Sequence, residues 1–299
     1  MAFPIEYIDG EKGVKIAFRH WFHSTQADAP LLILVNGRAE NLRKWRDLAA
    51  QFYAQGFDVL QFDHRGQGYS SRLLISREKG HLDDFDFYLR DMATVLNEIL
   101  ARKNYVKRYL LAHSMGALIS AHFLLKYPHQ ICRAVFSAPF FGVPFKRPIL
   151  DKWLIRAMVA AGFGEQYVFG KGKFSFVDAL NNKLSHNAQA MMEMNRIHLH
   201  YPKLRLGGPT FRWVKLCQDA IEQLPEILPK IDIPILILQA ECDEIVANRR
   251  LVKLSQCLIH GKLQLIAQAK HEILFERADI RERALAEIAS FWAKENERD

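Results

Sequence analysis

The chain has 299 residues and is 49% hydrophobic, enough for a large buried core, which excludes disordered and fibrous classes. Its formal net charge of +8 comes from basic residues spread along the chain, so no nucleic-acid partner is expected and a weak attraction to an anionic membrane surface is. No apolar run reaches the roughly 18 residues that span a bilayer, no basic-then-apolar leader opens the chain, and Cys132, Cys217, Cys242 and Cys257 lack metal spacing, so the expectation is a cytoplasmic protein with free thiols, able to touch the inner membrane.

In chain order, residues 5–24 alternate as an antiparallel hairpin around Gly10-Glu11-Lys12-Gly13. From there to about residue 138, strands alternate with helical stretches, the pattern of a parallel sheet flanked by helices. An apolar strand over 31–35 ends in Asn36-Gly37-Arg38-Ala39-Glu40-Asn41. The glycine lets backbone approach a ligand closely, which makes the Arg38 N–H a candidate oxyanion donor. Helical spacing over 42–55 precedes a strand over 57–62, closed by Asp63. In Asp63-His64-Arg65-Gly66-Gln67-Gly68-Tyr69-Ser70 the glycines permit tight turns. No helix opening with Lys-Ser/Thr follows, which argues against a nucleotide loop, and Asp63 and Arg65 read as braces under the site floor. A second helical stretch covers 84–103.

The segment Leu110-Leu111-Ala112-His113-Ser114-Met115-Gly116-Ala117-Leu118 says most about chemistry. An apolar strand enters a small-x-Ser-x-Gly turn and a helix leaves it, the context in which a serine becomes a nucleophile. The turn demands small residues on either side and a positive φ at the serine, and the helix start offers the Met115 N–H to an oxyanion. Ala112 replaces the first glycine and adds only a methyl. The competing reading makes Ser114 a helix cap. His113 reads as packed beneath the turn.

After a strand over 134–137 the alternation stops. Residues 139–226 form an irregular, helix-rich insertion that reads as a cap over the carboxyl end of the sheet, where ligands bind in such folds. Its first helical stretch, 149–161, puts Trp153, Leu154, Ala157 and Met158 on one side, so Trp153 and Met158 are candidates to wall an acyl chain. His186, His198 and His200 invite a metal reading, but their spacing suits surface or packed histidines, and no metal is expected. A buried strand over 235–239 delivers Glu241, Asp243 and Glu244; of these Asp243 has the spacing to orient a base. A buried strand over 263–266 leads to His271, the candidate base, and a helix over 280–296 closes the chain. Ser, Asp and His thus occur in the order that serves a nucleophile, an imidazole that takes its proton and a carboxylate that fixes the tautomer.

Asn36-Gly37-Arg38-Ala39-Glu40, Asp63 to Ser70, Leu111 to Gly116, Gln239-Ala240-Glu241 and His271-Glu272-Ile273-Leu274-Phe275-Glu276 together resemble the α/β-hydrolases of the monoacylglycerol lipase and serine aminopeptidase S33 group. The alanine at 112 and the arginine at 38 are similar to the bacterial lysophospholipases of that group; the monoacylglycerol lipase pattern has His-Gly at Asn36-Gly37. The resemblance covers residue 30 to the end. It implies an α/β-hydrolase fold with a mostly parallel eight-stranded sheet, a core of 1–138 and 227–299 and a helical cap over 139–226. The implied activity is cofactor-free hydrolysis of a lysophospholipid or monoacylglycerol ester. A transacylase using the same acyl-enzyme, and a non-catalytic lipid-binding protein, are the alternatives. The Arg38 guanidinium, with Arg205 or Arg212 in support, is expected to pair with a phosphodiester, against a competing salt bridge to Glu40 or a cap carboxylate.

Overall fold

The computed structural model describes residues 3–26, 28–145 and 147–293. Eight strands form one sheet in the order β1 (Glu6–Asp9), β2 (Lys15–Trp21), β4 (Asp58–Phe62), β3 (Leu31–Val35), β5 (Arg108–His113), β6 (Arg133–Ser137), β7 (Ile235–Ala240), β8 (Gly261–Ile266). The β1–β2 and β2–β4 pairs are antiparallel and all others parallel. Side chains on a strand alternate between faces, and this period divides the interior in two. Leu31, Ile33 and Val35 join one apolar cluster, shared with helices α2 (Asp86–Arg102) and α3 (Met115–Lys126). Leu32 and Leu34 join the other, under α1 (Arg46–Ala54) and α8 (Ala278–Ala293).

Three expectations are corrected. Helix α1 starts at Arg46 because Asn41 Oδ1 accepts from the N–H groups of Arg43 and Lys44 at 3.1 and 3.2 Å, holding residues 41–45 in a capped turn. Strand β8 is not buried: it lies at the sheet edge with a single neighbour, and Leu265 is 47% exposed. The helix expected over 149–161 is α-helical only as α4 (Pro148–Met158), then widens to a π-turn at Val159–Phe163. The last three residues of the helix expected over 280–296 lie outside the described residues.

Between β6 and β7 the chain leaves the sheet and returns through α4, α5 (Ala188–His200) and α6 (Phe211–Ile227). Asn187 Oδ1 caps α5 by accepting from Ala190 N–H, and Thr210 Oγ1 caps α6 by accepting from Trp213 N–H. Helix α6 packs on α3 and α4, so the excursion is anchored over the strand ends that carry the site.

Candidate active site

Strand β5 ends at His113, and the next residue, Ser114, has φ +50°. A Cβ at Gly116 would overlap the Val35 and Asn36 carbonyl oxygens, so only glycine lets α3 start this close to β3. The Ser114 side chain makes no capping bond to its helix. Its Oγ lies 2.9 Å from His271 Nε2, and His271 Nδ1 lies 2.7 Å from Asp243 Oδ2. Asp243 comes from the loop after β7 and His271 from the loop after β8. Asp243 Oδ1 accepts from the N–H groups of Ile245 and Val246 at 2.7 and 3.1 Å. Burial works against charge on Asp243, but the His271 and backbone hydrogen bonds outweigh it and hold its carboxyl below the usual value. The other acids of that loop point elsewhere: Glu241 accepts from Gln268 N–H, and Glu244 pairs with Lys183. His113 packs beneath, Nδ1 on the Ser137 carbonyl at 3.1 Å, its ring 4.9 Å from that of His271.

The loop after β3 comes against the serine turn. A Cβ at Gly37 would stand 3.2 Å from Ser114 Cβ and 2.8 Å from Glu40 Oε2, so glycine is what lets this loop come so close to Ser114. The first N–H groups of a helix have no partner within it, and Met115 is the first residue of α3. Asp63 braces this loop as expected of it, accepting from Asn36 Nδ2 at 3.0 Å. Arg65 forms a buried two-point pair with Asp91 on α2.

One buried cluster was not foreseen. Lys44 Nζ lies 2.5 Å from Glu40 and 2.6 Å from Glu272, with all three side chains buried. Glu40 also accepts from Gly37 N–H, and Glu272 adjoins His271, so the ammonium ties the loop bearing Arg38 to the loop bearing the imidazole. Burial disfavours charge on all three groups; the attraction of Glu272 and Glu40 nevertheless raises Lys44 above its ordinary value and that of Lys44 lowers Glu40 to about 2, while on Glu272 burial prevails and its carboxyl is raised. Glu40, His113 and Glu272 have ligand atoms within 4.8 Å of one another, but the Lys44 ammonium already supplies positive charge to both carboxylates. In the sequence, Lys44 offered only its four-residue spacing from Glu40 as a signal.

Two chambers meet at Ser114 and Arg38. One, about 690 Å³, is walled by Phe140, Phe145, Leu154, Ile155, Phe211 and Trp213. The other, about 550 Å³, is lined by Glu40, Lys44, Lys171, Lys173, His198 and the backbone of Gly207. The candidate wall residues are corrected here. Trp153 is 66% exposed, because the face of α4 turned to the cavity carries Leu154 and Ile155. Met158 packs on the core instead of the cavity. The aromatic wall comes from Phe140 and Trp213, stacked 6.1 Å apart, whose approach no local pattern announces.

The Arg38 side chain is enclosed. Nη2 donates to the Gly207 carbonyl and the guanidinium lies 5.2 Å from the Trp213 ring centre. Burial lowers its pKa to about 10, so it stays cationic at neutral pH. The competing salt bridge is not seen: Glu40 is engaged by Lys44, and among the described residues no carboxylate pairs with Arg38. Arg205 and Arg212 do not assist. Arg205 turns back to donate to the His198 carbonyl, and Arg212 pairs with Asp83.

The fold and this arrangement define the class. The family model for serine aminopeptidase S33 matches residues 26–278, and the chain belongs to that family, with the α/β-hydrolase fold. It is a hydrolase of carboxylic esters. Among named relatives, it is 48% identical to the probable lysophospholipase L2 of Haemophilus influenzae over 97% of this chain and 92% of that protein. It is 35% identical to lysophospholipase L2 of Escherichia coli over 89% and 81% of the respective chains. The fold is shared with a soluble variant of monoglyceride lipase from Saccharomyces cerevisiae, at TM-score 0.75 and 18% identity, covering 98% of this chain and 95% of that one. A thermostable carboxyl esterase from Bacillus coagulans matches at TM-score 0.78 and 17% identity over 98% of each chain.

Proposed function

We propose that the chain hydrolyses the carboxylic ester of a lysophospholipid, and with lower preference a monoacylglycerol, through an acyl-enzyme on Ser114. The observation that carries this reading is the hydrogen-bonded line from Ser114 Oγ through His271 to Asp243. His271 Nε2 takes the Ser114 proton as Oγ attacks the ester carbonyl. The oxyanion accepts from the Arg38 and Met115 N–H groups. The tetrahedral intermediate collapses to acyl-Ser114, and the departing glycerol oxygen receives the proton from His271. Water then attacks the acyl carbon, gives its proton to His271, and the second collapse releases the fatty acid and returns the proton to Ser114. Asp243 keeps Nδ1 protonated and offsets the imidazolium charge in both halves. No step requires a metal or organic cofactor.

The excursion over 139–226 acts as the cap, its apolar chamber taking the acyl chain. The net charge of +8, with Trp153 and Ile149 exposed on α4, supports peripheral contact with an anionic membrane surface. No helix of the described residues is long and apolar enough to cross a membrane. Arg38, with no carboxylate partner among the described residues, favours a substrate with a phosphodiester.

The test is labelling with a fluorophosphonate probe, followed by a panel of lysophospholipids, monoacylglycerols and nitrophenyl esters. Labelling lost in Ser114→Ala, with free fatty acid as the product, is expected; an unlabelled wild-type protein that cleaves no ester overturns the reading. Adding a second lipid alcohol and analysing products separates transfer from hydrolysis. In Arg38→Ala, kcat/KM for lysophospholipid should fall about tenfold more than for monoacylglycerol, the size of one charge-assisted contact.

A further inference from the structure

Polar groups buried in a protein are nearly always hydrogen-bonded, so an orphan marks a place where something else binds. The 550 Å³ chamber holds two. His198 is only 4% exposed, and among the described residues neither ring nitrogen has a partner. Arg38 Nε is likewise buried and unpartnered. Both residues line the chamber, which opens at Ser114.

Electrostatics narrow what fits. Burial, reinforced by the charges of Lys44, Arg205 and Arg72, lowers His198 to about 4, so its imidazole is neutral at physiological pH. A neutral imidazole presents one donor and one acceptor, which matches a hydroxyl better than an anion. The rest of the lining is different. Lys171 and Lys173 rise from the Gly170-Lys171-Gly172-Lys173 loop, and among the described residues neither has a carboxylate partner. The two acids of the chamber, Glu40 and Glu272, share the Lys44 ammonium, and among the described residues neither pairs with these lysines. The loop itself is fixed: Gly208 N–H donates to the Gly172 carbonyl at 2.7 Å, and Gly80 N–H to the Gly208 carbonyl at 3.0 Å. A Cβ at Gly207 would stand 2.5 Å from the Gly172 carbonyl oxygen, so backbone packs on backbone there.

We propose that this chamber is a glycerophosphodiester subsite, in which His198 takes the free glycerol hydroxyl next to the scissile ester while Lys171 and Lys173, with Arg38, hold the phosphate. The proposal rests on the ester-hydrolase reading and deepens it. The acyl chain lies in the apolar chamber, the headgroup in the polar one, and the ester spans their junction at Ser114.

Two measurements test it. The first is inhibition of nitrophenyl ester hydrolysis by glycerophosphoethanolamine, inorganic phosphate and glycerol, each alone. Competitive inhibition by the phosphodiester about tenfold stronger than by either fragment is expected; equal inhibition by phosphate would mean a simple anion site and overturn the assignment. The second compares Lys171→Ala/Lys173→Ala and His198→Gln with wild type. The ratio of kcat/KM for lysophospholipid to that for nitrophenyl ester should drop at least about tenfold in the lysine variant, mainly through KM, and His198→Gln should weaken the phosphodiester inhibitor. Ratios that stay within about twofold overturn the proposal. The lysines are exposed, so that variant tests the idea even if His198→Gln folds poorly. Wild type that cleaves no ester defeats the catalytic reading; active wild type with unmoved ratios defeats only the subsite.

Discussion

In the loops at the strand ends, Lys44, Glu40, Glu272, Asp243, His271 and Ser114 answer one another within 2.9 Å. In the segment above them, among the described residues, His198 has neither nitrogen partnered and Lys171 and Lys173 have no carboxylate partner, and Trp153 stands in solvent. The first region is complete by itself, as the reaction centre proposed above requires, since polar groups that reorient during reaction forfeit their advantage. The second is incomplete by itself, as a surface meant to receive something is. The contrast says where substitutions should alter chemistry and where they should alter selection.

Breaking the first region has the largest expected consequence. Ser114→Ala or His271→Ala should lower kcat by about 10⁵ to 10⁶, and Asp243→Asn by about 10³ to 10⁴, measured on a nitrophenyl ester with circular dichroism to confirm folding. A residual rate above a hundredth of wild type in His271→Ala would mean that another group serves as base. Next comes the buried tie. Lys44→Met leaves Glu40 and Glu272 facing each other without a cation and should cost about 3–5 kcal/mol in urea unfolding. An unchanged midpoint would show that the strand-end loops do not depend on that charge balance.

Acid sharpens the comparison. Burial lowers both His64 and His122 to about 4 in the folded protein, against an ordinary 6.5, so the unfolded chain takes up these protons first. Their contribution is therefore intact above pH 6.5 and lost as pH falls toward 4, each worth up to roughly 3 kcal/mol. Urea midpoints at pH 7 and pH 4.5 should differ, and His64→Gln should narrow the gap; a gap of the same size in that variant would remove His64 from the account. The smallest effect belongs to the outer face of the cap. Trp153→Ser should change stability by less than about 0.5 kcal/mol while reducing co-sedimentation with anionic vesicles. Unchanged sedimentation would confine membrane contact to other residues.

Much of this was legible along the chain because it depends on local rules. Strand periodicity, the small residues around Ser114 and the glycine after β3 each follow from sterics over a few residues, and the order of strands and helices limited the topology. Element ends were less legible: Asn41 delays the start of α1 by side-chain bonds that propensity does not weigh, and β8 appears buried by composition although its place at the sheet edge exposes it. Trp153 looked like a wall residue because its helix is amphipathic, but which face meets a cavity depends on what packs against the helix.

The order of its residues by itself determined an open parallel sheet with a strained serine at one strand end and an imidazole and a carboxylate available downstream, since those features need only neighbours in sequence. How Lys44 joined loops 228 residues apart, and how His198 came to share a chamber with Arg38 and two lysines, were decided by the folded chain alone. Contacts of that kind carry no periodic trace, because burial and partner choice are set by segments that approach only once the sheet has closed over its two apolar faces.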